Sequence, residues 1–294
     1  MRSTGTNQAR AIAASILGHD PGPMTTADSL SHQVHVAGGI VVKVIEAGGH
    51  SRLDREITLG SSLPPGLTAE LLASGVHEAV RYAAYTRVPG TAPGMGLPDT
   101  DTATACSLAR QAVKRLHTLH DWAPPAHAEK VLREPLDHGG FAGRPALLAE
   151  IESIAAVLPA VLLDGLMAIA ETAPSHAGAL VPVHADCHWG NWLALDGTLT
   201  ALLDFEWARF GEPMDDWFFL IADSGVHTPA VLDVIAAETG MSPDVLRAAC
   251  EVREANYLAA DIRLALSEPG THAGLLDQRL NRLRTVIVDR VWRS

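Results

Sequence analysis

Val34 and Val36 alternate with polar neighbours, and Ile40 to Ile45 is an almost unbroken β-branched run. Gly38-Gly39 lies between the two segments. This pattern predicts a β-hairpin over 32–45 with a two-residue turn that tolerates positive φ. Ser51-Arg52-Leu53-Asp54 has the spacing of a capping box, predicting a helix through about Leu63 that Pro64-Pro65-Gly66 ends. Further strands are expected near 69–74 and 80–87. The Gly/Pro-rich stretch from Val88 to Pro98 reads as a linker.

Beyond the linker the period changes. Ala105, Ala109, Ala112, Leu116 and Leu119 recur at steps of three and four, one face of a helix. Leu148, Ile151, Ala155 and Leu158 make a second stripe, which Pro159 interrupts. A short β segment at 180–183, a polar loop at 184–191 and strand-like pieces at 192–195 and 199–204 follow. Two helices, about 243–267 and 273–292, are expected to close the chain. This is an α+β pattern. The sheet-rich part, 1–88, and the helix-rich part, 89–294, predict two lobes with a ligand cleft between them.

The chain has 294 residues, 47% hydrophobic and 19% charged, enough apolar material for a sizeable core and too little charge for disorder. No apolar run reaches the ~18 residues of a spanning helix, so no membrane association is expected. Ala11–Leu17 is short and reads as part of an amphipathic helix, not a secretory leader. Cys106, Cys187 and Cys250 are widely spaced and fit no disulfide framework, which implies a reducing, cytoplasmic setting. The net charge of −12 argues against a nucleic-acid partner. Residues 1–88 balance 7 acidic against 7 basic side chains, so residues 89–294 carry the whole excess. Only Lys43, Lys114 and Lys130 are lysines, against 19 arginines.

Phosphoryl transfer needs a carboxylate to take the acceptor's proton, an Asn and an Asp to hold Mg²⁺, and a cation to grip the nucleotide. His184-x-Asp186-x₄-Asn191 has the spacing that supplies the first two, and Asp204 follows the apolar run Ala201-Leu202-Leu203 as a strand-end ligand should. Lys43 lies in the β-branched strand and Glu56 in the helix after it, the placement of a phosphate-gripping Lys and its partner. A competing reading takes His184, Asp186 and His188 as a metallohydrolase cluster. It leaves Lys43, Glu56 and Asn191 unexplained. Four tryptophans, Trp189, Trp192, Trp207 and Trp217, crowd the same stretch. Core packing under the loop is the favoured reading, over an aromatic wall for a cation.

These residues resemble the aminoglycoside phosphotransferase and choline kinase family, the small-molecule branch of the protein-kinase-like fold. The resemblance rests on Val42-Lys43-Val44, Glu56, Arg115–His120, His184–Asn191 and Leu203–Trp207, with Gly211-Glu212-Pro213 and Asp216-Trp217. It implies a bilobal fold with an antiparallel-sheet N-lobe and a mainly helical C-lobe. It implies Asp186 as catalytic base, Asn191 and Asp204 as Mg²⁺ ligands, and Lys43 on the phosphates of ATP or GTP, held by Glu56. Ser31 and His32 would tip the phosphate-covering turn, and Thr86 and Val88 would meet the base. Asp216 would brace the catalytic loop. Three positions depart from the family pattern. Ala185 replaces a glycine, the covering turn has no glycine, and Glu206 follows Asp204-Phe205 where protein kinases have Gly. The acceptor is then a small molecule. The acidic C-terminal part makes a cationic one the expectation, such as an aminoglycoside or other amine-rich antibiotic, with Glu206, Asp223, Glu251, Glu254 and Asp261 as candidate acceptor-facing acids. A metabolite kinase acting on choline, ethanolamine, homoserine, a sugar or a macrolide, or a silent kinase-like binding module, are the alternatives.

Overall fold

Five antiparallel strands in the order β1-β2-β3-β5-β4 build the first part of the molecule: β1 (Thr25–Ala27), β2 (Gln33–Ala37), β3 (Ile40–Glu46), β4 (Leu71–His77) and β5 (Val80–Thr86). The computed structural model describes residues 2–27, 32–48, 52–136, 140–267 and 274–293, and only the backbone of residues 2–4. The hairpin forms as its pattern predicts, with Ala37 opposite Ile40 across Gly38-Gly39. Alternation along β3 sorts its side chains. Ile40, Val42 and Val44 pack beneath helix α1 (Arg2–Leu17), against Ala9, Ile12 and Ala13. Lys43, one residue out of phase with them, lies on the opposite face, where helix α2 (Arg52–Gly60) docks through Leu53 against Ala83 and Tyr85. The expected capping residue Ser51 lies outside the described residues. α2 ends at Gly60, earlier than expected, although Leu63 N–H still reaches Leu59 O at 3.0 Å.

The remainder is mainly helical: α3 (Thr102–His120), α4 (Ala126–Arg133), α5 (Arg144–Ile154), α6 (Ala160–Thr172), α7 (Pro213–Ala222), α8 (Thr228–Thr239), α9 (Pro243–Ser267) and α10 (Leu275–Ile287). The stripe Ala105–Leu119 on α3 is buried throughout and forms the floor of the main core, with Leu147, Leu166, Trp189, Trp192 and Phe205 around it. Each large aliphatic side chain buried there contributes about 1.5–3 kcal/mol. Pro159 separates α5 from α6 as its missing N–H requires, standing at the N-cap of α6. Two small antiparallel ribbons, β6 (Val181–Val183) with β9 (Arg209–Gly211) and β7 (Trp192–Leu195) with β8 (Thr198–Leu202), frame the loop 184–191. The last helix is shorter than the expected 273–292, and the chain turns after it to bury Trp292. No single described helix is long and apolar enough to cross a membrane.

The linker is tied down. Thr91 and Ala194 exchange N–H···O bonds of 2.9 Å in both directions. Gly90 has φ 125°, and a Cβ there would stand 2.7 Å from Ala194 O, so only glycine lets the two backbones approach. Arg55 locks α2 onto the helical part through Val131 O and Ala208 O, both at 2.8 Å. The sheet and the helices are thereby fixed across a cleft.

Candidate active site

The β7–β8 ribbon brings the two sequence-distant ends of the site together. Trp192 pairs with Leu202, and one step outward Leu203 N–H donates to Asn191 O at 2.8 Å. Asn191 and Asp204 therefore emerge side by side. Asp204 adopts left-handed backbone (φ 69°, ψ 61°), which short Asp side chains tolerate and which turns its carboxylate away from the strand.

The loop between β6 and β7 is held by a buried carboxylate. Asp216 Oδ2 accepts His184 N–H at 3.1 Å and Asp216 Oδ1 accepts Ala185 N–H at 2.7 Å. Ala185 has φ 63°, a left-handed conformation that explains the glycine preferred at this position. The hydrogen bond from its N–H to Asp216 and the Tyr257 hydroxyl, which donates to Ala185 O at 3.1 Å, hold it there. His184 uses both ring nitrogens on backbone: Nε2 donates to Leu203 O at 2.8 Å and Nδ1 accepts from Asp186 N at 3.2 Å. Burial keeps its pKa low, so the ring is neutral. With both nitrogens engaged it cannot ligate a metal, and the His184–Asp186–His188 cluster reading falls. Cys187 is buried, and burial beside Asp216 pushes its thiol well up, which removes it as a nucleophile. Trp189 and Trp192 are fully buried and Trp217 nearly so, as core packing requires.

Lys43 Nζ lies 2.8 Å from both oxygens of Glu56 and 3.0 Å from Asp204 Oδ1. Burial works against its charge, but Glu56 and Asp204 outweigh that, so its pKa is raised. Burial likewise opposes the Asp204 charge, and the adjacent ammonium outweighs it, leaving this carboxyl below its ordinary range. Asp186 is different. Burial, then the negative charge of Asp204, push its pKa well up, while Asn191 Nδ2 opposes the rise with a bond of 3.2 Å. Asn191 Nδ2 also donates to Asp186 O at 2.8 Å, so the amide oxygen points elsewhere. Among the described residues, that oxygen and Asp204 Oδ2 receive no protein hydrogen bond. An amide oxygen and a carboxylate oxygen are hard donors of the kind Mg²⁺ selects.

The remaining candidates are distributed unevenly. Ser31 lies outside the described residues. His32 is buried, and its ring, Asp204 and Glu206 bring ligand atoms within 4.8 Å of one another. Glu206 is buried with Arg52 at 3.7 Å and His32 at 3.8 Å. Thr86 N–H is committed to Glu70 O at 2.9 Å, while Val88 packs with Leu203 beside Tyr85. Asp223, at the end of α7, is near enough for its charge to raise the Asp186 pKa. Glu251, Glu254 and Asp261 do not form an open wall. Arg293 pairs with Glu251 at 2.8 Å, Arg282 with Glu254 at 2.5 Å and Arg279 with Asp261 at 2.5 Å. Sequence reasoning missed Tyr257 and gave His120 no role, since their partners lie far along the chain.

A model of the phosphotransferase enzyme family matches residues 34–252. No curated protein matches the sequence. Among solved structures, aminoglycoside 2′-phosphotransferase-IIIa in its GDP complex is similar at 15% identity and TM-score 0.77, over 96% of this chain and 100% of that one. Macrolide 2′-phosphotransferase MphH from Brachybacterium faecium is similar at 20% identity and TM-score 0.67, over 94% and 98%. A thermostable mutant of aminoglycoside phosphotransferase APH(4)-Ia, in ternary complex with ADP and hygromycin B, is similar at 17% identity and TM-score 0.62, over 97% and 99%. At these identities the likeness establishes the bilobal kinase-like fold.

Proposed function

The chain belongs to the phosphotransferase enzyme family, and on that premise we propose that it moves the terminal phosphoryl group of ATP or GTP to a hydroxyl of a small, amine-bearing acceptor. Residues 1–88 would form the nucleotide lobe and 89–294 the catalytic and acceptor lobe. The observation that carries the reading is the joint geometry of Lys43, Glu56, Asp204, Asn191 and Asp186. A silent relative would have no reason to keep a half-buried Lys–Glu–Asp cluster beside an uncommitted Asn oxygen.

In this reading Lys43, oriented by Glu56, grips the nucleotide phosphates, and Asn191 with Asp204 would hold Mg²⁺. When bound, that ion neutralises the phosphate oxygens and orients the terminal group. Asp186 accepts the acceptor hydroxyl's proton. The hydroxyl oxygen forms its bond to phosphorus as the bridging oxygen–phosphorus bond breaks, and the nucleoside diphosphate leaves with that electron pair. A raised pKa suits Asp186, because proton transfer is most efficient when base strength approaches working pH. His184 keeps the loop in shape and transfers no proton.

Asp223 is the acid best placed to meet an ammonium group, since the three α9 acids are already paired. Several proteins of similar fold are aminoglycoside or macrolide phosphotransferases, and two of these structures are complexes, one with GDP and one with ADP and hygromycin B. The test is a coupled phosphorylation screen over aminoglycosides, other amine-rich antibiotics, amino alcohols, macrolides and sugars, with both nucleotides. Turnover on an amine-bearing acceptor is the expected result. Turnover only on a neutral acceptor overturns the acceptor class, and nucleotide binding without turnover on any of them overturns the enzyme in favour of a binding module.

A further inference from the structure

Helix α3 packs against β6, β8 and α7 around the loop that carries Asp186, and His120 at its end reaches Asp216, the residue that holds that loop. The ring is buried, and Nε2 lies 2.9 Å from Asp216 Oδ2. That same oxygen receives the His184 amide, and its twin receives the Ala185 amide and, at 3.6 Å, the Cys187 thiol. A carboxylate only accepts, so His120 must carry its proton on Nε2. His120 Nδ1 is buried and has no hydrogen-bond partner, which makes the contact with Asp216 the ring's one hydrogen bond among the described residues. A buried carboxylate with several donors has a single satisfied rotamer, and removing one donor leaves lone pairs unmet.

We propose that His120 is a positioning residue for the phosphoryl transfer: by fixing the Asp216 carboxylate, it holds the left-handed turn at Ala185 and so the direction in which Asp186 points. The chain of contacts is continuous: His120 Nε2, Asp216, the Ala185 amide, then Asp186. Ala185 pays a steric cost for φ 63° that a glycine would not, so its turn depends on the bonds that grip it. Among the described residues, Lys43 and Glu56 make no hydrogen bond to His120, Asp216 or Ala185. Loss of the His120 donor is therefore expected to impair the chemical step alone.

The alternative is that the ring merely fills space beside Trp217, whose ring centroid is 5.0 Å away. Two variants separate these roles, and the comparison rests on the kinase reading above. His120→Leu keeps apolar bulk and loses the donor. His120→Gln carries an amide N–H about as far from the backbone as Nε2. With circular dichroism confirming the fold, His120→Leu should lower kcat about 10²-fold with nucleotide KM within about twofold of wild type, since misplacing a reacting group by an ångström has that scale of effect. His120→Gln should recover most of kcat. An unaltered kcat in His120→Leu, equal loss in both variants, or a nucleotide KM that rises along with the fall in kcat would each overturn the proposal. If His120→Leu does not fold, His120→Asn takes its place, because its amide is too short to reach Asp216. Equal kcat for Asn and Gln then overturns it. Wild-type turnover in the same assay keeps this result distinct from a failure of the kinase reading itself.

Discussion

Two acidic regions of this molecule look alike in the sequence and behave in opposite ways. Along α9, Glu251, Glu254 and Asp261 share a face, and each is closed off by an arginine from α10 or the turn that follows; Glu254 also accepts the Trp292 indole N–H at 2.5 Å. In the cleft, Asp186 has only the Asn191 amide as a hydrogen-bond donor to its side chain among the described residues, with His188 at 3.8 Å, and burial, then the repulsion of Asp204, keeps its proton affinity high. The lesson is that a count of carboxylates does not measure the field a ligand meets. Charge paired inside the fold holds helices together. Charge left with too few donors is available for chemistry. The α9 acids, in spite of their number, bind the C-terminal helix to the core.

The two regions should answer mutation differently, the cleft in kcat and nucleotide affinity. Asp186→Asn should reduce kcat by ~10²–10⁴ while leaving nucleotide affinity near wild type, since the base acts on the acceptor. Steady-state kinetics with calorimetric nucleotide titration measures both, and retention of kcat would remove Asp186 from the mechanism. Next comes Asp204→Asn. It removes a charge that holds Lys43 and would hold the metal, so Mg-nucleotide affinity should weaken about 10- to 100-fold, the range of lost charged hydrogen bonds. Affinity that does not change between Mg²⁺ and its absence in wild type would sink the assignment of Asn191 and Asp204.

The α9 side should respond in stability instead. Glu254→Gln leaves Arg282 and the Trp292 indole with a neutral partner, and the loss of charged hydrogen bonds costs about 1.5–3 kcal/mol. For a chain of this size that is roughly 3–10 °C in Tm, with kcat within about twofold. A fall in kcat as large as that of Asp186→Asn, at unchanged Tm, would mean that α9 belongs to the chemistry after all.

How legible was this contrast in the sequence? The cleft side was largely readable, because its parts are local. The Asp186–Asn191 spacing, the strand-end Asp204, and the phase of Lys43 in β3 depend on residues a few positions away. The sheet hairpin and the buried stripe of α3 followed from period alone. The α9 side was not readable, because Glu254 and Arg282 are 28 residues apart, and Glu251 and Arg293 are 42 apart. Which arginine meets which acid depends on the packing of α10 onto α9, which no local pattern carries. Tyr257 on Ala185 and His120 on Asp216 were hidden for the same reason. The burial of Glu206 beside His32 and Arg52 was hidden as well, because it depends on how the sheet closes over the helices.

The smallest expected effect lies where the two regions meet, at Asp223. Burial, then the charge of Glu254, push its carboxyl up to about 7, against the pull of Arg282 and Arg279. Asp223 is therefore charged only above about pH 7, and an ammonium-bearing acceptor gains its partner as the pH rises through that value. Acceptor KM should fall by a few-fold between pH 6 and 8, the scale of one partly screened ion pair, and rise with salt, since charge reaches only ~8 Å at physiological ionic strength. The Asp186 titration acts separately: its raised pKa makes kcat climb with pH, because the base must first lose its proton, so the two groups are resolved by following kcat and KM apart. Asp223→Asn should flatten both the pH and the salt dependence of KM without altering kcat. Glu254→Gln should move the KM transition to lower pH, as it removes a repelling charge and releases Arg282 toward Asp223. Glu251→Gln removes a charge that has no part in raising the Asp223 pKa, so it should leave KM and its salt slope as they are. An acceptor KM indifferent to pH, salt and Asp223→Asn would mean that the cleft acids serve the phosphate side alone, and the difference between the two regions would not extend to acceptor choice.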